Sequence, residues 1–119
     1  RRGSNWSLIE EPLALANVLR TQVSKDQIVL GDCLTLWPSN LKGAAKNIEA
    51  SVDDLVAALR TCEGRVVFIS NEVGQGIVPD SAMARLFRDE AGRMHQRLAD
   101  VCDAAVMVVA GLPLILKQP

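Results

Sequence analysis

The sequence predicts a single α/β domain, spanning residues 1–119, in which helices pack on a mainly parallel sheet. Three observations predict it. Apolar residues at helical spacing alternate along the chain with short unbroken apolar runs. The runs are rich in Val, Ile and Leu and lack polar alternation, the mark of strands covered by crossover helices. Finally, 49% of the 119 residues are apolar, yet Trp6, Trp37, Phe68 and Phe87 are the only aromatic ones. The core must therefore be built from aliphatic side chains, as where helices cover a sheet.

The elements follow in order. Glu11-Pro12 predicts a helix start, since proline lacks an N–H that the first helical turn would leave unpaired; Leu15, Val18 and Leu19 share its inner face. Gln27 to Cys33 is a short apolar run ending at an acid and predicts a buried strand. Trp37-Pro38-Ser39-Asn40 reads as a breaker, with an ambiguous polar stretch to Ala50. Ser51-Val52-Asp53-Asp54 resembles a capped helix start, with Val52, Leu55 and Leu59 facing inward. Gly64 ends that helix, and Arg65 to Ser70 predicts a second buried strand.

After a loop with two glycines and Pro79, Asp80 or Ser81 caps the longest helix, which runs to about Asp100 with Met83, Phe87, Ala91, Met94 and Leu98 as its stripe. Asp103 to Ala110 predicts a third strand covered on both faces. Gly111 breaks it, and Leu112 to Leu116 forms a short terminal strand.

Composition excludes several function classes. A net charge of −1 gives no basic surface for nucleic acid or an anionic membrane. No apolar run approaches the ~18 residues that a membrane span requires, and no secretory leader is visible. Cys33, Cys62 and Cys102 are odd in number and lie far apart, which suits a reducing compartment better than a disulfide framework or a zinc site. The expectation is a soluble cytoplasmic protein. The sequence opens Arg1-Arg2-Gly3, with neither an initiator Met nor an early hydrophobic strand, which predicts an incomplete N-terminus.

In open parallel sheets ligands gather at the carboxyl ends of the strands. Asp32 falls there, where a Walker B acid would help to hold the magnesium that bridges nucleotide phosphates; the alternative is a cap for the next turn. Asn71 to Pro79 follows the second strand, and Gly74 and Gly76 free its backbone for positive φ and for close approach to a ligand, with a plain strand-to-helix turn as the alternative. A dinucleotide fingerprint fails because Pro79 stands where its third glycine belongs. Arg85, Arg88, Arg93 and Arg97 line the polar face of the long helix, with Asp89 one turn from Arg85 and Arg93. Intrahelical ion pairs on a solvated face are the default there, and phosphate binding or subunit contact is the alternative. His95, the sole histidine, has no partners at metal-ligand spacing. No Gly-x-x-x-x-Gly-Lys-Ser/Thr loop is present to cradle a triphosphate.

The same residues resemble one family. Asn71-Glu72-Val73-Gly74-Gln75-Gly76-Ile77-Val78-Pro79 is similar at every fixed position to the Asn-Glu-Val-Gly-x-Gly-Ile-Val-Pro signature of the bifunctional adenosylcobinamide kinase/adenosylcobinamide-phosphate guanylyltransferases. Ala84-Arg85, Phe87-Arg88-Asp89, Ala91-Gly92-Arg93 and Gln96-Arg97-Leu98-Ala99 continue the likeness. Asp32-Cys33-Leu34-Thr35-Leu36-Trp37 with Ser39-Asn40-Leu41, Arg1-Arg2, and Trp6 with Glu10-Glu11-Pro12 extend it over essentially the whole chain, and Pro38 departs from the apolar residue more usual in the family.

The resemblance implies an enzyme of cobalamin biosynthesis that phosphorylates adenosylcobinamide with ATP or GTP, then transfers GMP from GTP to the phosphate through a GMP-histidine. It implies Mg²⁺ with the nucleotide, a three-layer RecA-like P-loop fold and a homotrimer. Glu10 and Asp32 align with acidic nucleotide-site positions, Asp32 also as the metal-side acid. Arg1 and Arg2 align with a basic segment next to the guanylylated His, and Asn71, Glu72, Gly74 and Gly76 belong to a loop near the site. The family's P-loop and nucleophilic His fall before Arg1, and His95 does not match that nucleophile, so these 119 residues alone are expected to be inactive. A non-catalytic remnant that binds corrinoid or sister subunits is the alternative.

Overall fold

The computed structural model describes residues 3–119. The element order is helix α1 (Leu15–Gln22), strand β1 (Ile28–Asp32), a 3-10 turn (Leu34–Leu36), helices α2 (Trp37–Gly43) and α3 (Ile48–Thr61), strand β2 (Arg65–Ile69), helix α4 (Ala82–Val101), and strands β3 (Ala105–Val109) and β4 (Leu112–Lys117). The α/β alternation predicted from the sequence is present, and β1 runs parallel to β2 with Ile28 opposite Arg65 and Asp32 opposite Ile69.

The sheet differs from the expected continuous one. Among the described residues the strands form two separate pairs: parallel β1–β2 and antiparallel β3–β4. The hairpin closes through Ala110 and Gly111, whose φ values of 52° and 74° are the positive pair that a tight two-residue turn requires. The third strand is not covered on both faces: Val106, Val108 and Val109 are exposed, as is every residue of β4. An unbroken apolar run reports a strand's composition, and which neighbour covers it is decided elsewhere in the chain.

The core is helical. Ala16 and Leu19 of α1, Leu34, Trp37 and Leu41, Val52, Leu55, Val56 and Ala58 of α3, and Met94 and Leu98 of α4 form one buried cluster. Full burial of a side chain such as Leu55 or Met94 contributes roughly 1.5–3 kcal/mol. Burial alternates along the parallel strands: Val29, Val66 and Phe68 pack against this cluster, while Ile28, Leu30, Asp32, Val67 and Ile69 lie on the exposed face. The Phe68 ring lies over Gly31, where a Cβ would stand 2.6 Å from it.

Local chemistry moved several boundaries. Trp37-Pro38 does not break the chain; it opens α2, with proline in the first turn where no N–H is missed. Trp37 is buried and its Nε1 donates to the Leu13 carbonyl at 2.9 Å, joining α2 to the entry of α1. The helix expected from Ser51 starts at Ile48, because the Asn47 side chain accepts from Ala50 N–H at 2.9 Å and takes the cap. Ahead of α1, Glu11 Oε2 accepts from the N–H groups of Leu13 and Ala14 at 3.0 and 3.1 Å. Of the two predicted caps, Ser81 rather than Asp80 caps α4, but Met83 is 75% exposed and Phe87 half-buried, so the buried stripe is Ala91, Met94 and Leu98.

Candidate functional site

Parallel pairing brings the carboxyl ends of β1 and β2 side by side, and the chain leaves both strands at the same edge. Asp32 is the last residue of β1 and lies on the sheet face that is exposed among the described residues, its carboxylate outside the described hydrogen bonds and ion pairs. The peptide bond that follows it, to Cys33, is cis.

Beyond Asp32 a hydrogen-bonded cluster joins the two strand ends. Thr35 Oγ1 accepts from the Asn71 backbone N–H at 2.7 Å and donates to Asn71 Oδ1 at 2.8 Å. The Cys33 thiol lies 2.9 Å from Thr35 Oγ1 and 3.3 Å from Asn71 Oδ1, and its sulfur accepts from Thr35 N–H at 3.4 Å. One residue earlier, Ser70 Oγ meets His95 Nε2 of α4 at 2.7 Å.

The loop from Asn71 to Pro79 is held from two sides. Glu72 Oε1 accepts from Gly74 N–H at 2.6 Å, so this acid turns back on its own loop. A Cβ on Gly74 would stand 2.7 Å from the same oxygen, whereas Gly76 faces open space. Neither glycine adopts the positive φ that is one of the two reasons expected for them; the atom nearest a Cβ at Gly74 is the end of the flexible Glu72 side chain. On the other side, Arg88 donates to the Gly74 carbonyl, and Arg85 Nη1 donates to the carbonyls of Pro79 and Asp80 at 2.8 and 2.7 Å.

The arginine face of α4 therefore does something other than pair along its own helix. Arg85 and Arg88 tie down the loop, and Arg97 reaches Asp53 of α3 at 2.5 Å. Among the described residues the ion pairs are this one and Arg20–Asp54 at 2.7 Å, and neither involves Asp89. Both are exposed, the regime in which such pairs contribute little. The Arg20 guanidinium holds the Asp54 carboxyl below its ordinary range, as the N–H groups of Leu13 and Ala14 do for Glu11. Burial pushes the Cys102 thiol up, partly offset by nearby Lys117, whose Nζ also donates to the Ala99 and Asp100 carbonyls at the end of α4.

The structure thus brings Asp32, Asn71, Glu72 and Gly74 to one sheet edge, with Gly76 farther out on the same loop. Glu10 is exposed in the segment before α1, and no described hydrogen bond or ion pair joins it to Asp32. Arg1 and Arg2 lie outside the described residues. Reasoning from residue types passed over Thr35 and Ser70, since a lone hydroxyl in sequence carries no signal until its partner is known.

For Mg²⁺ the described residues offer a single carboxylate at this edge. This ion takes one or two carboxylates and completes its shell with phosphate oxygens and water. Asp32 supplies one exposed carboxylate free of internal hydrogen bonds; among the described residues no group of three or more His, Cys, Asp or Glu converges on a metal position. No helix among them is long and apolar enough to cross a membrane.

Comparison with known proteins gives this geometry its context. A family model described as cobinamide kinase / cobinamide phosphate guanyltransferase matches residues 1–116. The bifunctional adenosylcobalamin biosynthesis protein CobP of Pseudomonas aeruginosa is 40% identical over 119 residues, covering 98% of this chain and 69% of the relative. Proteins named bifunctional adenosylcobalamin biosynthesis protein CobU from Escherichia coli and Salmonella typhimurium are 32% and 34% identical over 131 residues, each match covering 98% of this chain and 72% of the relative. The chain belongs to the cobinamide kinase / cobinamide phosphate guanyltransferase family.

Proposed function

We propose that this chain serves an enzyme that phosphorylates the aminopropanol hydroxyl of adenosylcobinamide with ATP or GTP and then transfers GMP from GTP to the new phosphate. The observation that carries the reading is family membership over residues 1–116, with Asp32 exposed at the strand edge beside the signature loop. The 119 residues contain no Gly-x-x-x-x-Gly-Lys-Ser/Thr sequence, so their part is assigned to the acid and loop side of the nucleotide site. Asp32 would hold Mg²⁺ together with nucleotide phosphates, and the ion supplies neutralisation of phosphate charge. Glu10, Arg1 and Arg2 are assigned to the nucleotide as well, with Asn71, Glu72, Gly74 and Gly76 forming the adjoining wall.

In the first reaction the cobinamide hydroxyl oxygen bonds to the terminal phosphorus, the bond to the nucleotide's bridging oxygen breaks, and the hydroxyl proton leaves to solvent. The chain's contribution is placement: a carboxylate at a fixed strand end and a loop clamped by α4 hold their groups without reorganisation. In the second reaction GMP passes through a histidine; His95, bonded to Ser70, is not assigned that role. A three-layer P-loop architecture, a homotrimer and a cytoplasmic location complete the reading, and the exposed apolar face of β1–β2 supports a further layer there.

The test is direct. The full protein, given cobinamide with MgATP or MgGTP, is expected to form cobinamide phosphate, and with GTP to form GDP-cobinamide, both resolved by chromatography. Absence of both products would reduce the chain to a corrinoid-binding or subunit-binding remnant.

A further inference from the structure

We propose that Thr35 is a positioning residue for phosphoryl transfer: it latches the end of β1 to the start of the signature loop, so that Asp32 and the loop act as one body. The proposal rests on the functional reading above for its catalytic consequence, and on geometry alone for the latch.

The need for a latch follows from the strand pairing. Among the described strands β1 hydrogen-bonds only to β2, and the ladder ends at Asp32 and Ile69. Beyond those residues nothing in the sheet keeps the two chains together, yet the acid stands on one and the loop on the other. Thr35 is the first residue after the strand whose side chain crosses to the other chain with two bonds. Its single hydroxyl accepts from Asn71 N–H and donates to Asn71 Oδ1, at 2.7 and 2.8 Å, across 36 positions of sequence. The Cys33 thiol fills the remaining acceptor site at 2.9 Å, so every hydrogen-bonding position of the hydroxyl is used.

That arrangement also sets the Asn71 amide. With Oδ1 taken by Thr35, Nδ2 is left as the group available to a ligand, and a flipped amide would face the hydroxyl with a donor instead of an acceptor. Arg88 and Arg85 fasten the loop farther along through the carbonyls of Gly74, Pro79 and Asp80. The loop is thus fixed at both ends, and the Thr35 end is the one that connects it to Asp32.

The experiment compares Thr35→Val, which keeps the shape and removes the hydroxyl, with Thr35→Ser, which keeps the hydroxyl. In the full protein, Thr35→Val is expected to lower kcat for cobinamide phosphorylation by roughly 10-fold or more, since each lost bond is worth about 1 kcal/mol, with the nucleotide KM nearly unchanged. Amide exchange of residues 71–76 should accelerate while that of α3 stays as in wild type. Thr35→Ser should restore both readings. A second variant, Asn71→Ala, removes Oδ1 but keeps the backbone N–H bond to Thr35, so the Thr35→Val/Asn71→Ala double mutant should lose clearly less activity than the product of the two single losses.

Unchanged loop exchange in Thr35→Val would overturn the latch. Faster exchange with wild-type kcat would overturn the positioning role. Additive losses in the double mutant would show that Asn71 acts independently of Thr35, and would also sink the proposal. Should Thr35→Val fail to fold, Thr35→Ala, which also removes the hydroxyl, carries the same two measurements. If the wild-type protein forms no cobinamide phosphate, the functional reading falls and the positioning role with it, while the exchange data still decide the latch.

Discussion

The Ser70 hydroxyl and His95 Nε2 lie 2.7 Å apart, joining the residue after β2 to the middle of α4 across 25 positions of sequence. His95 does not match the family's nucleophilic histidine, so it is expected to take no GMP label when the protein is incubated with GTP and magnesium; peptide mapping that finds GMP on His95 would refute this. Ser70→Ala should lower stability by about 1 kcal/mol, the net worth of one such bond, as read by denaturant unfolding.

Asp32→Asn keeps the size of the side chain and removes its charge. If Asp32 positions magnesium or the nucleotide, kinase turnover should fall by roughly 30- to 1,000-fold, equivalent to about 2–4 kcal/mol of transition-state stabilisation. Stability should change little, because the carboxylate is exposed and outside the described hydrogen bonds and ion pairs. Turnover and thermal unfolding at saturating magnesium check both halves; near-normal turnover removes Asp32 from the site.

Gly64→Ala should destabilise the fold by roughly 1–3 kcal/mol, the usual scale for overfilling a packed position. A Cβ at Gly64 would stand 2.7 Å from the Ser24 carbonyl oxygen, which is backbone and cannot rotate aside. Gly76→Ala meets open space and should leave unfolding within about 0.5 kcal/mol of wild type. Equal effects at the two positions would contradict the packing around the β2 entry.

Leu55 is wholly buried in the helical cluster, and Leu55→Ala should cost about 2–5 kcal/mol. A loss below 1 kcal/mol in urea unfolding would mean that α3 is not central to the core.

Glu11 gives the pH dependence a definite sign. Its folded pKa is lowered by the Leu13 and Ala14 N–H groups, so the folded state binds fewer protons than the unfolded one. The resulting stability is present above the unfolded value, about 4.3, and is lost as pH falls through the lowered folded value. Glu11→Gln should therefore be less stable than wild type at pH 7, with the gap narrowing below about pH 4. A gap that stays constant between pH 7 and pH 3, measured by denaturant unfolding, would exclude the charge as its source.

The sequence by itself determined the α/β alternation, the parallel character of the strand pair, a cap at Asp80 or Ser81 for the long helix and, through the Asn71–Pro79 signature, the family. Each of these depends on residues close together in the chain: a run of β-branched side chains, a capping hydroxyl, a motif read in order. The tertiary structure decided what depends on separate segments meeting. Thr35 and Asn71 look unremarkable 36 positions apart and become a latch only because β1 and β2 run parallel in register. Arg85 and Arg93 of α4 are spaced for pairing with Asp89, yet Arg85, like Arg88, turns to loop carbonyls that the fold brings within reach. Likewise the apolar run of β3 promised burial, but burial requires a second surface, and among the described residues the hairpin pairs with itself and leaves Val106 and Val108 in solvent. Local pattern fixes which element forms, because its hydrogen bonds and side-chain period are local; long-range packing fixes what that element touches.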